Sequence, residues 1–116
     1  MRRILLTIVL SGFVTPCAAQ MPAISTNWVE VSVTQEQCFS IADSVLRKTG
    51  HVRIERVGAS TFGDTPDRQS QVVIRCEASK KIAFVVVAGG NGDDKTTTAW
   101  AQNIKENMLR SLPAQN

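Results

Sequence analysis

Residues 4–14, Ile-Leu-Leu-Thr-Ile-Val-Leu-Ser-Gly-Phe-Val, carry no charge and follow directly on Arg2 and Arg3. A basic start followed by a short aliphatic run is the layout of a secretory signal peptide, and it decides the compartment in which the rest of the chain folds. At about eleven residues the run is roughly half the ~20 that a bilayer-spanning helix needs, so it reads as an address and not as an anchor. Pro16 breaks it, and Cys17-Ala18-Ala19 puts small residues where a signal peptidase cuts. The sequence therefore predicts a signal peptide over 1–19 and a single mature domain over 20–116, exported to the periplasm or the extracellular space. A competing reading takes Val14-Thr15-Pro16-Cys17 as a lipoprotein box with Cys17 acylated, which would tether the domain to a membrane. Pro16 stands where such a box wants Gly, Ala or Ser, so the plain cleaved signal is preferred.

Export fixes the cysteine chemistry. Of three cysteines, Cys17 leaves with the signal, and the mature chain keeps Cys38 and Cys76, an even count in an oxidising compartment. The two are predicted to form a disulfide. It closes a loop of about forty residues, worth roughly 3.5 to 4 kcal/mol, a large share of the stability of so short a domain. A redox or metal-binding pair would need C-x-x-C spacing or added histidines, and the chain contains one histidine. No metal and no cofactor is expected.

Removing the signal also removes Arg2 and Arg3, leaving eleven basic residues against ten acidic ones, a net charge of about +1. That balance predicts no nucleic-acid partner. The densest basic cluster, Arg47, Lys48, His51, Arg53 and Arg56, is interrupted by Glu55 and reads as a solvated helix end and strand face.

Along the mature chain, 20–27 reads as a loose lead-in. Residues 28–33 alternate, Val29, Val31 and Val33 on one face against Trp28, Glu30 and Ser32, as in a half-buried strand. Thr34-Gln35-Glu36-Gln37 is a capping box opening a helix. The helix stripe is Cys38, Phe39, Ile41, Ala42, Val45 and Leu46, and the end is marked by Arg47-Lys48-Thr49-Gly50. Residues 51–57 read as a second strand, with Val52 and Ile54 on one side. Residues 58–70 are rich in Gly, Ser, Thr, Asp and Pro with only Phe62 large and apolar. This stretch reads as a connector or recognition loop. Residues 71–78 and 81–88 form a hairpin turning at Ser79-Lys80. Residues 96–112 form a second helix, with Asp93 or Asp94 at its start and Trp100, Ala101, Ile104, Met108 and Leu112 on one stripe. The expected fold is α+β, a two-layer sandwich in the order β-α-β-β-β-α. Its mainly antiparallel four-stranded sheet has both helices on one face, and the disulfide ties the first helix to the third strand.

No stretch carries a catalytic signature. The glycine-rich segment ending in Asp93-Asp94-Lys95-Thr96 resembles a phosphate loop in outline only. Asp94 stands where glycine must precede the lysine, and two carboxylates occupy the place of phosphate oxygens. Asn91, Asp93 and Asp94 lack the register of a calcium loop. His51 has no sequence-evident partner for general-base work. The more informative segment is 82–88, apolar on both alternating faces, with Ile82, Phe84 and Val86 on one and Ala83, Val85 and Val87 on the other. Antiparallel two-layer sheets usually show water one of their faces. Phe62, Val73, Ala83, Val85 and Val87 are the candidate partner surface, whether for a protein partner or a second copy of the chain.

The sequence thus favours a small, non-enzymatic binding or interaction module of the cell envelope, acting through the outer sheet face or the 58–70 loop. The alternatives are a small-ligand binder with a cleft near Trp28 or Trp100, and a small hydrolase. The export reading is checked by the intact mass of the protein recovered from its host's envelope. A chain beginning at Gln20 is expected, whereas an acylated Cys17 would make it a lipoprotein.

Overall fold

Thr34 is in extended conformation and accepts from the Gln37 amide while the Gln37 side chain accepts from the Thr34 amide, so both arms of the predicted capping box are made. This cap sets the start of the first helix in the computed structural model, which describes residues 22–89 and 92–114. The expected signal peptide, its cleavage site and the Cys17 alternative lie outside those residues.

The elements run β1 (Ala23–Glu30), α1 (Gln35–Lys48), β2 (Val52–Val57), β3 (Ser60–Asp64), β4 (Ser70–Glu77), β5 (Ile82–Gly89) and α2 (Asp94–Ser111). The sheet is antiparallel throughout in the order β1-β5-β4-β3-β2, and both helices pack on one face. The α+β class, the helix positions and the disulfide are as expected. The strand count is five rather than four.

The additional strand lies inside the stretch read as a loop. β3 pairs with β2 through the two-residue turn Gly58-Ala59, with Gly58 at φ +59, and with β4 through Phe62↔Val73. Its inward positions are Thr61 and Gly63, because the chain after α1 passes directly over them. A Cβ on Gly63 would lie 3.2 Å from the Cβ of His51 and 3.3 Å from Leu46 Cδ1. With small residues inward and one phenylalanine outward, the strand shows no apolar alternation. β1 begins at Ala23, inside the expected lead-in, for a related reason. Its inward residues Ser25 and Asn27 are polar and bond to α2, Ser25 Oγ lying 2.7 Å from Thr97 Oγ1 and Asn27 donating to Gln102 Oε1 at 3.3 Å. Val31 is fully buried just beyond the strand end, its amide donating to the Lys81 carbonyl.

In β2 the pairing shifts by one residue between Val52 and Glu55, and Arg53 sits at φ +53 within the shift. The bulge reverses the alternation, so Val52 and Glu55, three apart, pair with the same-face residues Asp64 and Phe62. Ile54 turns toward the core cluster, and Val52, expected beside it, is exposed.

The core is one layer between sheet and helices: Val29, Val72, Ile74, Val85 and Val87 from the sheet against Cys38, Ala42, Val45, Leu46, Ala101, Ile104 and Met108 from the helices. Each large side chain here contributes roughly 1.5–3 kcal/mol by leaving water. The Cys38–Cys76 disulfide, with Cα atoms 6.0 Å apart, crosses this layer and joins α1 to β4, the fourth strand of the five. Beside it Gln35 clasps the end of β4, donating to the Cys76 carbonyl at 2.7 Å and accepting from the Ala78 amide at 3.0 Å. Replacing both cysteines by alanine is expected to cost about 3–4 kcal/mol in urea unfolding without moving the helical signal at zero denaturant. A loss below about 1 kcal/mol would show that the bridge does not restrain the unfolded chain.

Candidate functional site

Two places on the molecule are candidate sites. The first is the helix-free sheet face, on which paired residues of neighbouring strands point the same way. Phe62, Val73, Val86 and Thr26 form one row across β3, β4, β5 and β1, and Ser60, Arg75, Phe84 and Trp28 form the next. Ile24, Trp28 and Phe84 on this face are 62%, 51% and 42% exposed, and Val57 at its far edge is 58% exposed. Charges flank the apolar centre and are already paired within the face. Arg75 Nε lies 2.8 Å from Glu77, and Arg53 Nε lies 2.9 Å from Asp64.

The residues singled out from the sequence divide between the two faces. Phe62 and Val73 lie outward, half-buried. Ala83, Val85 and Val87 do not join them: all three are fully buried on the inward face of β5, opposite Cys76, Ile74 and Val72. Because β5 is apolar on both faces, its alternation could not say which side the helices cover. Ala83, the smallest of the three, pairs with the Cys76 end of β4, where the disulfide enters the layer. The outward set is therefore Ile82, Phe84 and Val86, which puts the Phe84 ring on the face, opposite Trp28 of β1.

The second place is a cavity of about 500 Å³ at one end of the sheet, between the end of α1, the β3–β4 turn and the start of α2. Its buried members are His51, Thr65, Gly89 and Thr97; Trp100 stands as a wall, and Asp67, Ser70, Asp93 and Thr96 supply polar groups. Of the two tryptophans at which a cleft was expected, only Trp100 borders this cavity. Trp28 is on the sheet face, with the Lys105 ammonium 5.8 Å from its ring centroid.

His51, read from the sequence as a helix-end residue, is 4% exposed. Gly50 at φ +83 turns the chain so that His51 follows α1 inward, its amide donating to the Leu46 carbonyl and its ring meeting Trp100 edge to face at 4.9 Å. Its tautomer follows from a neighbour. Thr49 Oγ1 lies 2.8 Å from the Val45 carbonyl, which only accepts, so the single hydroxyl proton goes there. His51 Nδ1, 2.8 Å from the same Oγ1, must then donate, and Nε2 is left as a bare acceptor with no partner among the described residues. Burial holds the imidazole below its ordinary pKa, partly offset by the Leu46 backbone and the Asp64 carboxylate, so the ring is neutral near pH 7.

Asp93 is the N-cap of α2, accepting from the amides of Lys95 and Thr96 and from Thr96 Oγ1 at 2.6 Å. Asp94 lies in the first turn, and Asn91 lies outside the described residues. Asp67 accepts from Thr65 Oγ1 at 2.6 Å and from the Gln69 amide. These bonds lower the pKa of both carboxyl groups, and both are ionised at neutral pH. No protein-family model matches this chain, and a search of curated proteins finds no similar sequence.

The buried imidazole predicts a pH dependence with a definite sign. Unfolded, His51 takes a proton near its ordinary 6.5; folded, it does so only at lower pH. Between those values the unfolded chain binds more protons, so stability is full above 6.5 and falls as pH drops below it. The aspartates that lie near the ring or line the cavity, Asp64, Asp67 and Asp93, have pKa values lowered from 3.8 and act in a separate, more acidic window. The urea midpoint is expected to fall between pH 7.5 and 5.5 in the wild type and to stay nearly level in His51→Gln.

Proposed function

We propose that this protein is an exported, non-enzymatic interaction module whose outer sheet face is a protein-docking surface, and that its occupant is a second copy of the same chain. The observation that carries this reading is the row of large apolar side chains, Phe84, Trp28, Val86, Val73 and Phe62, on a face that neither helix covers. Monomeric proteins seldom leave such side chains contiguous in water.

Charge favours a like partner. The face holds both signs, Arg75 and Arg53 beside Glu77 and Asp64, with Glu30 and Glu55 at the margin. An isologous pairing sets such a surface against its own complement without a net field to repel it. Size is adequate as well. The five strands, of eight, six, five, eight and eight residues, give a face of roughly 550 Å² per copy at about 3.3 Å per residue and 4.8 Å between strands. Two copies then bury about 1,100 Å², just above the lower bound of a specific interface. Two sheets stacked in this way meet as the layers of a β-sandwich do, about 10 Å apart.

The export half of the reading rests on the leader-like sequence at 1–19 and on the disulfide, which forms in oxidising compartments. Among the described residues no helix is long and apolar enough to cross a membrane. The non-enzymatic half is supported by His51, whose Nδ1 is held by Thr49 and whose Nε2 meets no hydroxyl within hydrogen-bonding distance among the described residues. A serine or threonine nucleophile activated by a histidine base needs that contact.

Analytical ultracentrifugation of the mature, oxidised protein tests the docking surface. A dimer is expected at tens of micromolar, and Phe84→Lys or Val86→Glu should weaken it at least tenfold while leaving the unfolding free energy of the monomer within about 1 kcal/mol of wild type. Leu109→Lys, on an exposed position of α2, should leave it unchanged. A wild type that stays monomeric up to about a millimolar, or a dimer insensitive to Phe84→Lys, would overturn the reading.

A further inference from the structure

The outer sheet face has an order along its strands as well as an apolar area. On β5 the outward residues run Ile82, Phe84, Val86, Ala88, bulky in one half and smaller in the other. On β1 the indole of Trp28 stands level with Phe84, and the small Thr26 stands level with Val86. On β3 the sense is reversed, Phe62 lying in the Val86 row and Ser60 in the Phe84 row. Every one of these strands therefore sets a large side chain on one side of the midline, at Val85, against a small one on the other. The central strand, β4, adds a charge order, with Glu77 and Arg75 in one half and Val73 and Gln71 in the other.

An isologous pair of stacked sheets has its two-fold axis in the plane between them. With the strands of the two sheets roughly aligned, that axis runs either along the strands or across them. An axis along β4 keeps every residue at its own level, so Arg75 meets the partner's Arg75 and Glu77 the partner's Glu77. Moved onto β5, the same axis stacks Phe84 on the partner's Phe84 and brings Glu77 over the partner's Glu30. Like charges face each other in both cases, which works against association. In the second case the ring-on-ring level also holds the sheets apart where Ala88 meets its own copy.

An axis across the strands keeps each strand over its own copy and exchanges the two halves. Phe84 then lies over the partner's Val86, Trp28 over the partner's Thr26, and Phe62 over the partner's Ser60. Large side chains meet small ones on all three strands, as two layers about 10 Å apart require in order to interdigitate. On β4, Arg75 falls over the partner's Val73 and Glu77 over the partner's Gln71, so no charge on that strand faces its like.

We infer that the two copies stack about a two-fold axis that crosses the strands at the level of Val85, each strand lying reversed over its own copy. The inference rests on the dimer proposed above and fixes how its two copies face each other.

Double electron–electron resonance on the full mature, oxidised protein tests it, with a nitroxide at Pro66→Cys or at Ser79→Cys. Both positions are exposed and lie off the face, one in the β3–β4 turn and the other in the turn before β5, at opposite ends of the strands. An eight-residue strand spans about 26 Å and the sheets stand about 10 Å apart, so each singly labelled dimer should give a distance of about 25–35 Å. An equimolar mixture of the two labelled proteins should add a component at about 10–20 Å, from labels stacked across the interface. A distance of about 10–20 Å in either singly labelled sample, with only a long component added on mixing, would overturn the orientation and leave the dimer standing. No dipolar signal at several hundred micromolar would remove the dimer itself, and this inference with it.

Discussion

The Cys38–Cys76 bridge is the point from which the rest of this small domain is organised. It joins the first turn of α1 to β4, the central strand of the sheet, and buries both cysteines in the apolar layer. Everything on the helix side follows from that anchoring. The capping box at Thr34 fixes where α1 starts, Gln35 clasps the end of β4, and Ala42, Val45 and Leu46 then run along the sheet toward β3. At the far end the helix delivers Thr49, Gly50 and His51 over Gly63, where a Cβ would stand 3.2 Å from the His51 Cβ, tighter than an ordinary contact. A core of this size is marginal by burial alone, and the cross-link removes freedom from the unfolded chain that the core could not offset unaided.

Anchoring both helices to one face commits the other to the outside. The two faces of β5 illustrate the consequence: Ala83, Val85 and Val87 are sealed beneath α1 and α2, while Phe84 is 42% exposed opposite them. The exposed set is the larger and more aromatic of the two. The surface features therefore divide by layer, with a broad apolar surface on the bare side and a polar cavity at the end of the covered side. In that cavity Thr97 packs where a Cβ on Gly89 would collide at 2.7 Å, and His51 and Trp100 meet edge to face.

Much of this was legible in the residues, and what was not has specific physical causes. Helix α1 announced itself through a cap and a stripe that agree with each other, and the disulfide followed from an even count of two. β3 was invisible because its inward positions, Thr61 and Gly63, are small where α1 passes over them, and its one large residue, Phe62, faces outward. The early part of β1 was hidden because Ser25 and Asn27 point inward and are satisfied by Thr97, Thr98 and Gln102 of α2. The bulge at Arg53 reversed the alternation of β2, which no periodicity argument anticipates. For β5, a strand apolar on both faces withholds its own orientation, so the surface was read from the wrong set of three. The burial of His51 had a faint signal, a glycine just before it, but its bare Nε2 is a property of the assembled site, since it depends on which acceptor takes the Thr49 proton.

The account's central claim is that Trp28 and Phe84 are exposed in the single chain only because their partner is another chain. Hydroxyl-radical footprinting read by mass spectrometry, from about one micromolar to several hundred micromolar protein, measures this directly. Oxidation of Trp28 and Phe84 should fall together as concentration rises, while that of Leu109, half exposed on α2, stays constant. Oxidation of all three that is independent of concentration would contradict the claim and leave the sheet face a solvated surface.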